Sequence, residues 1–231
     1  MDMKQAFRHE ALVRHLTEMI FRLQRPGKQP LLIAFGGEGN CRKTTIAKSV
    51  RSVVVQSKVS MTILEIDDYA HPRSLRLASR YSGYNPAAFD IAAFHQDIRS
   101  LLLGQSIRKP YYDHSKGEIC GYCGDHAHSH EVTSSDVVLA IGVYPDRLFG
   151  ETGLQPSFSV LFMRKGFLRF LDRIKRDTSE RGYSVAVAAL NYRRMRHDFR
   201  KFMTVAREWY NCVCIVRKRR YNWLEREERC G

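Results

Sequence analysis

Residues 35 to 45 read FGGEGNCRKTT, a glycine-rich turn that ends on a lysine and two threonines. A lysine and a hydroxyl directly after such a turn are what the handling of a polyphosphate requires. Backbone N–H groups of the turn wrap phosphate oxygens, and the positive end of the following helix adds to their pull. Lys43 would reach the terminal phosphates and Thr44 would hold magnesium through its hydroxyl. Counting back from Lys43, the pattern G-x-x-x-x-G-K-[ST] puts its first glycine at Gly37, while its second falls on Arg42. Gly39, Asn40, Cys41 and Thr45 complete the candidate cradle. Arg42 either crowds the place where backbone approaches phosphate or points outward and adds charge; crowding implies an impaired loop rather than an abolished one. Cys41 is either a thiolate activated by the helix terminus or filler.

A second group of candidates lies in RFLDRIKRDTSERG, where Arg173, Arg176 and Arg181 stand close to Asp177. Such a run is ordinarily a solvated charged face. A phosphoryl-transfer enzyme, however, needs mobile cations that close over the transferring phosphate. Three weaker signals accompany these. Cys120 and Cys123, followed by His126, His128 and His130, offer zinc-type ligands. Their two halves are nearly contiguous, so the stretch reads first as a polar loop and only second as a zinc site. The run RKRR at 217 to 220 could touch nucleic acid phosphates, but the acidic EREE that follows favours a solvated turn.

The elements that must position these groups follow from periodicity. Leu12, Leu16, Ile20 and Leu23 repeat with helical spacing, and RPGKQP ends that helix. LLIAF is a short apolar run before the glycine turn, so it reads as a buried strand, and Ile46, Val50, Val53 and Val54 give a helix after it. MTILEI, SDVVLAIGV, SFSVLFM and CVCIV read as four more strands. One helix is expected from about Pro86 to Leu103. Another is marked by Phe167, Phe170, Leu171 and Ile174, with Arg169, Arg173 and Arg176 on its other face. A long helix follows through Ala188, Tyr192, Met195, Phe199, Phe202, Ala206 and Trp209. Strands alternating with helices predict an α/β fold with a parallel sheet covered on both faces.

Bulk properties agree with one sizeable domain of 231 residues, 44 % hydrophobic and 27 % charged. No apolar run is long enough to span a membrane, and the charged first twenty residues are unlike a signal peptide, so the expected address is cytoplasmic. Six cysteines suit that compartment as free thiols or metal ligands. The net charge of +14 suits an anionic partner: a nucleotide, a phosphosugar or nucleic acid.

In the order of its motifs the chain resembles the uridine kinase and phosphoribulokinase group of P-loop kinases. RIKRDTSERG is similar to the arginine-bearing lid of that family, and EIDDYAHPR to the strand end that supplies its catalytic acid. NPAAFDIAAF resembles the segment after it, KPYYDHSKGEI the acceptor-binding hairpin, and NYRRMRHDFRKF the long helix after the lid. The likeness runs from about residue 30 to 216. It implies a P-loop three-layer sandwich around a mainly parallel sheet of about five strands. Residues 1–29 would be a helix and linker, 30–216 the kinase-like domain, and 217–231 a charged tail. Within the domain the acceptor-binding insertion would cover about 70–131 and the lid about 173–184.

The resemblance further implies ATP and magnesium as cofactors and transfer of the γ-phosphate to a hydroxyl of a nucleoside or related sugar. Asp67 would be the base, or alternatively a magnesium ligand, with Asp68 a helix cap or solvated acid. Lys43 and Arg176 would join Asp67 in catalysis, with Arg173 and Arg181 on the nucleotide. Tyr69, Arg73, Tyr112, Asp113 and His114 would contact the acceptor. A sugar-phosphate acceptor, a nucleotide-binding protein without catalysis, a nucleic-acid-binding module and self-association stay open. The chain departs from the family at Arg42, at Ile141-Gly142 where an acidic residue usually precedes the glycine, at Tyr183 in the lid, and at Gly117 and Glu118 in the hairpin.

Overall fold

The computed structural model describes residues 5–24, 29–114, 116–120, 130–143, 154–164, 166–179, 182–206, 210–217 and 220–225. The chain begins with strand β1 (Gln5–Phe7), helix α1 (His9–Leu23), β2 (Leu31–Gly37), α2 (Lys43–Gln56) and β3 (Met61–Glu65). A 3-10 turn (Ile66–Tyr69), α3 (Arg73–Ala78), a second 3-10 turn (Pro86–Ala88) and α4 (Ile91–Leu102) follow. Four short strands come next: β4 (Ile107–Lys109), β5 (Tyr111–Asp113), β6 (Glu118–Cys120) and β7 (His130–Val132). The rest consists of β8 (Val137–Ile141), β9 (Phe158–Arg164), α5 (Gly166–Ser179), α6 (Val185–Ala206), β10 (Cys212–Val216) and β11 (Tyr221–Glu225).

The five apolar runs form five parallel strands in the order β10-β9-β2-β8-β3. Alternation along β2 serves two cores. Ile33 and Phe35 face α1 and α2, whereas Leu32 and Ala34 face α4. Further along that second face, Leu161 and Val213 pack under Met195 of α6. A sheet buried on both sides needs near-continuous apolar strands, which is what these sequences supply.

The sheet has seven strands, two beyond the five legible runs. β11 adds antiparallel to β10, and β1 adds antiparallel to β11, with Phe7 opposite Tyr221. Both ends of the described chain therefore belong to the sheet: Tyr221 and Trp223, inside the stretch expected as a charged tail, are buried. The helix expected from Pro86 is interrupted. Asn85 caps the 3-10 turn through the Ala87 N–H, and Asp90 then starts α4 by accepting the Ala93 N–H at 2.9 Å.

α5 buries part of its arginine face and only part of its apolar one, with Phe170 packed 5.0 Å from Tyr192. Arg169 and Asp177 are buried, while Phe167 is 70 % exposed and Leu171 is 47 % exposed. The arginine face is turned inward where the buried Glu38 of the glycine turn meets Arg169, while Asp177, one turn along the same helix, neutralises Arg173. Trp209, counted with α6 from sequence, lies outside the described residues. No described helix is long and apolar enough to cross a membrane.

Candidate functional site

All five parallel strands end at one edge of the sheet, and in open α/β sheets that carboxyl edge is where ligands bind. There β2 leaves the sheet through the glycine turn. Gly37 has φ +135°, and a Cβ on it would run into the backbone oxygen of Phe162 on β9. A Cβ on Gly36 would fall on the Tyr210 hydroxyl. These glycines are required by close approach of neighbouring elements.

Asn40 (φ +62°) and Arg42 (φ +64°, ψ +16°) both adopt the left-handed conformation, so the turn closes with the geometry that a glycine would take without strain. The Arg42 side chain is exposed and does not fill the turn. Its cost is backbone strain of roughly 1 kcal/mol, not steric blockage. Cys41 is fully buried in the core under α2, and burial pushes its thiol up against the pull of Lys43 and Arg164, the pattern of an inert cysteine. Thr45 is on the exposed side of α2, with its carbonyl accepting from the Ser49 hydroxyl.

Lys43, the first residue of α2, arches back over the turn and donates to the carbonyls of Gly37 (2.6 Å) and Glu38 (2.9 Å). Burial pushes its ammonium down, while Cys41, Asp67 and Glu65 pull it up. The Thr44 hydroxyl donates to Glu65 Oε2 at 3.5 Å. Glu65, at the last position of β3, has its carboxyl raised by burial first and then by Asp67 and Asp68. Asp67 follows in the 3-10 turn and faces the same cavity. Asp68 is neither cap nor solvated acid: it pairs with Lys109.

That cavity, of about 730 Å³, runs from Gly39, Lys43 and Thr44 to the β5–β6 hairpin. Among the described residues six arginines line it (Arg73, Arg76, Arg80, Arg173, Arg176, Arg194) against four acids (Glu65, Asp67, Asp113, Asp177). Arg73 donates to the His114 carbonyl at 2.6 Å, and Arg76 to the His71 carbonyl and the Tyr112 hydroxyl. Tyr112, Asp113 and His114 all reach the cavity, with Tyr112 and His114 edge to face at 5.0 Å. Gly117 takes φ +80° to turn the hairpin, and its carbonyl accepts the Arg73 N–H at 2.7 Å.

Tyr69 does not join them. It is wholly buried, edge-on to Phe94, and its hydroxyl donates to Asp97 at 2.6 Å, so its ring belongs to the core under α4. Arg181, Cys123, His126 and His128 lie outside the described residues, as do the side chains of Cys120 and His130.

Two of the three expected lid arginines converge on the turn. Arg173 donates to Asp177 at 2.6 Å, and Arg176 lies 3.9 Å from the same carboxylate. A Cβ placed on Gly39 would have Arg173 Nη1 at 3.5 Å and Arg176 Nη2 at 3.9 Å. Tyr84, unmarked by any motif, meets the same point: its hydroxyl accepts the Gly39 N–H at 2.8 Å. Its ring packs 5.8 Å from Phe199 of α6, and burial pushes its phenol up to about 12. Glu38, an acid inside the glycine turn, is likewise a residue that spacing did not reveal. It is buried and paired with Arg169, tying the turn to α5.

The turn can therefore bind phosphate oxygens through backbone N–H groups and Lys43. Among the described residues no set of three His, Cys, Asp or Glu side chains is disposed to hold a metal. Magnesium beside a polyphosphate asks for less, one hydroxyl and one or two carboxylates plus phosphate oxygens, and Thr44 with Glu65 and Asp67 offers those donors.

Comparison with known proteins agrees with this geometry. Residues 32–218 match the model of the phosphoribulokinase / uridine kinase family. The uridine kinase of Leuconostoc citreum is 28 % identical over 169 residues, covering 69 % of this chain and 74 % of that enzyme. The phosphoribulokinase of Synechocystis sp. is 26 % identical over 190 residues, covering 80 % of this chain but only 53 % of that enzyme. Among solved structures, a possible uridine kinase from Bacillus stearothermophilus superposes with a TM-score of 0.61 at 16 % identity, over 87 % of this chain and 96 % of the other. The fold is thus that of the P-loop kinases, and this chain belongs to the phosphoribulokinase / uridine kinase family.

Proposed function

We propose that this protein is an ATP-dependent kinase that transfers the γ-phosphoryl group to a hydroxyl of a nucleoside or sugar acceptor, and that the preferred acceptor is a sugar carrying an anionic group. The observation that carries the transfer reading is the convergence of Lys43, Arg173 and Arg176 on the glycine turn, with Asp67 facing the same cavity. Positioning and charge neutralisation are what phosphoryl transfer asks of a protein.

In this reading the turn's N–H groups and Lys43 hold the phosphates, and Arg173 and Arg176 neutralise charge on the group in transfer. The buried Asp177 holds both guanidiniums at that position. Asp67 takes the proton of the acceptor hydroxyl. Magnesium, held by Thr44 and a carboxylate, neutralises phosphate oxygens when bound. Arg73, Arg76 and Arg80 on the far wall favour an acceptor with a phosphate or carboxylate over a neutral nucleoside.

A second reading is a nucleotide-binding protein without catalysis. It is favoured by the Tyr84 hydroxyl on the Gly39 N–H and by Ile141 at the end of β8. Magnesium-dependent ATP consumption against nucleosides and pentose phosphates, with Lys43→Ala as control, separates the two. Turnover on a pentose phosphate that falls about 10³-fold in Lys43→Ala supports the kinase. ATP binding without turnover on any acceptor supports the second reading. Turnover best on neutral nucleosides would remove the anionic-acceptor part alone.

A further inference from the structure

A magnesium ion beside a polyphosphate keeps several waters and takes few protein oxygens, in P-loop proteins the loop hydroxyl and an acid on a nearby strand. In this chain the hydroxyl is Thr44. On the β3 side of β2 the neighbouring strand is β8, and its last residue, Ile141, is buried and carries no oxygen on its side chain. One strand further out, Glu65 of β3 stands in register with Ile141. Its Oε2 lies 3.5 Å from Thr44 Oγ1, on the helix that follows the turn. Glu65, Thr44, Lys43 and Asp67 line one continuous cavity. Of the three acids that follow one another at this corner, Asp68 is paired with Lys109, which leaves Glu65 and Asp67 facing the loop.

We propose that Glu65 supplies the carboxylate of the magnesium shell in this chain, one strand away from the position that Ile141 occupies. Asp67 is thereby left to serve as the base. The loss of an acid on β8 and the presence of a glutamate at the end of β3 become one compensated exchange. The inference rests on the nucleotide reading above.

The test uses the full chain with Mn²⁺ as the probe. Binding of Mn²⁺ is followed by electron paramagnetic resonance in the presence of a non-hydrolysable ATP analogue, and binding of the analogue alone is measured in EDTA. Glu65→Gln is expected to weaken Mn²⁺ binding by about tenfold or more while leaving metal-free nucleotide affinity unchanged or tighter. Glu65→Asp, which keeps a carboxylate, is expected to recover part of the loss. The proposal is overturned if Glu65→Gln binds Mn²⁺ as the native protein does. It is equally overturned if Glu65→Gln loses metal-free nucleotide binding in step, which would make Glu65 a support of the loop. A native protein that binds the analogue with no metal contribution removes this inference and leaves the nucleotide reading intact. One that binds no nucleotide at all removes both.

Discussion

The glycine turn and the arginine-lined wall that shares its cleft are built on different plans. The turn is made of consecutive residues whose backbone does the binding, so it keeps its shape even with Arg42 at a glycine position, because the requirement there is a left-handed φ that arginine can adopt at modest cost. The cavity wall is made of side chains from α3, the β5–β6 hairpin, α5 and α6, some held within their own helix, as Arg173 is by Asp177, and others across the fold, as Arg73 and Arg76 are by the hairpin. A backbone site tolerates a change of side chain that leaves its dihedrals alone. A side-chain site does not.

Substitutions that separate the two regions follow from this contrast. The largest effect after loss of Lys43 is expected where they meet: Arg176→Ala should lower kcat by about 10²- to 10³-fold with any acceptor, because a cation over the transferring group is lost. Equal turnover in the variant would detach α5 from the chemistry. Arg76→Ala should raise KM for an anionic acceptor about tenfold and leave KM for ATP unchanged, the loss of one charge-assisted contact. A matching rise in KM for ATP would mean that the wall and the turn are not separable. The smallest effect belongs to Arg42→Gly, which should relieve roughly 1 kcal/mol of strain and raise Tm by about 2–4 °C with kcat changed by less than about threefold. A large gain in kcat would show that the arginine does obstruct the turn.

The same contrast explains what could be read from the sequence. The turn and the five parallel strands were legible because each is a contiguous pattern. β11 was not: its Tyr221, Trp223 and Leu224 are short of a full apolar run and lie between basic and acidic clusters. That the arginine face of α5 turns inward was not legible, because Glu38, which receives Arg169, is remote in sequence and meets it only in the fold; the Asp177 partner of Arg173 lies one turn along the same helix. Tyr69 was assigned to the acceptor although its hydroxyl is satisfied by Asp97 within the core. Glu65 did leave a signal. A half-buried acid ending a mainly apolar strand, two residues before a pair of aspartates, is an expensive choice for a residue with nothing to hold.

The pairing of β1 with β11 has a consequence for how the protein is made. Gln5 and Trp223 are neighbours across a ladder, yet nearly the whole described chain separates them, so this contact carries one of the largest loop-closure costs in the molecule. β1 and the apolar face of α1 precede β11 in the chain and must wait for it before that edge can close. His15, held between the rings of Phe7 (5.0 Å) and Trp223 (5.1 Å), joins helix, first strand and last strand at a single point. Until β11 is made, β1 has no partner in the sheet, so closing of this edge is the last pairing step that the order of the strands allows.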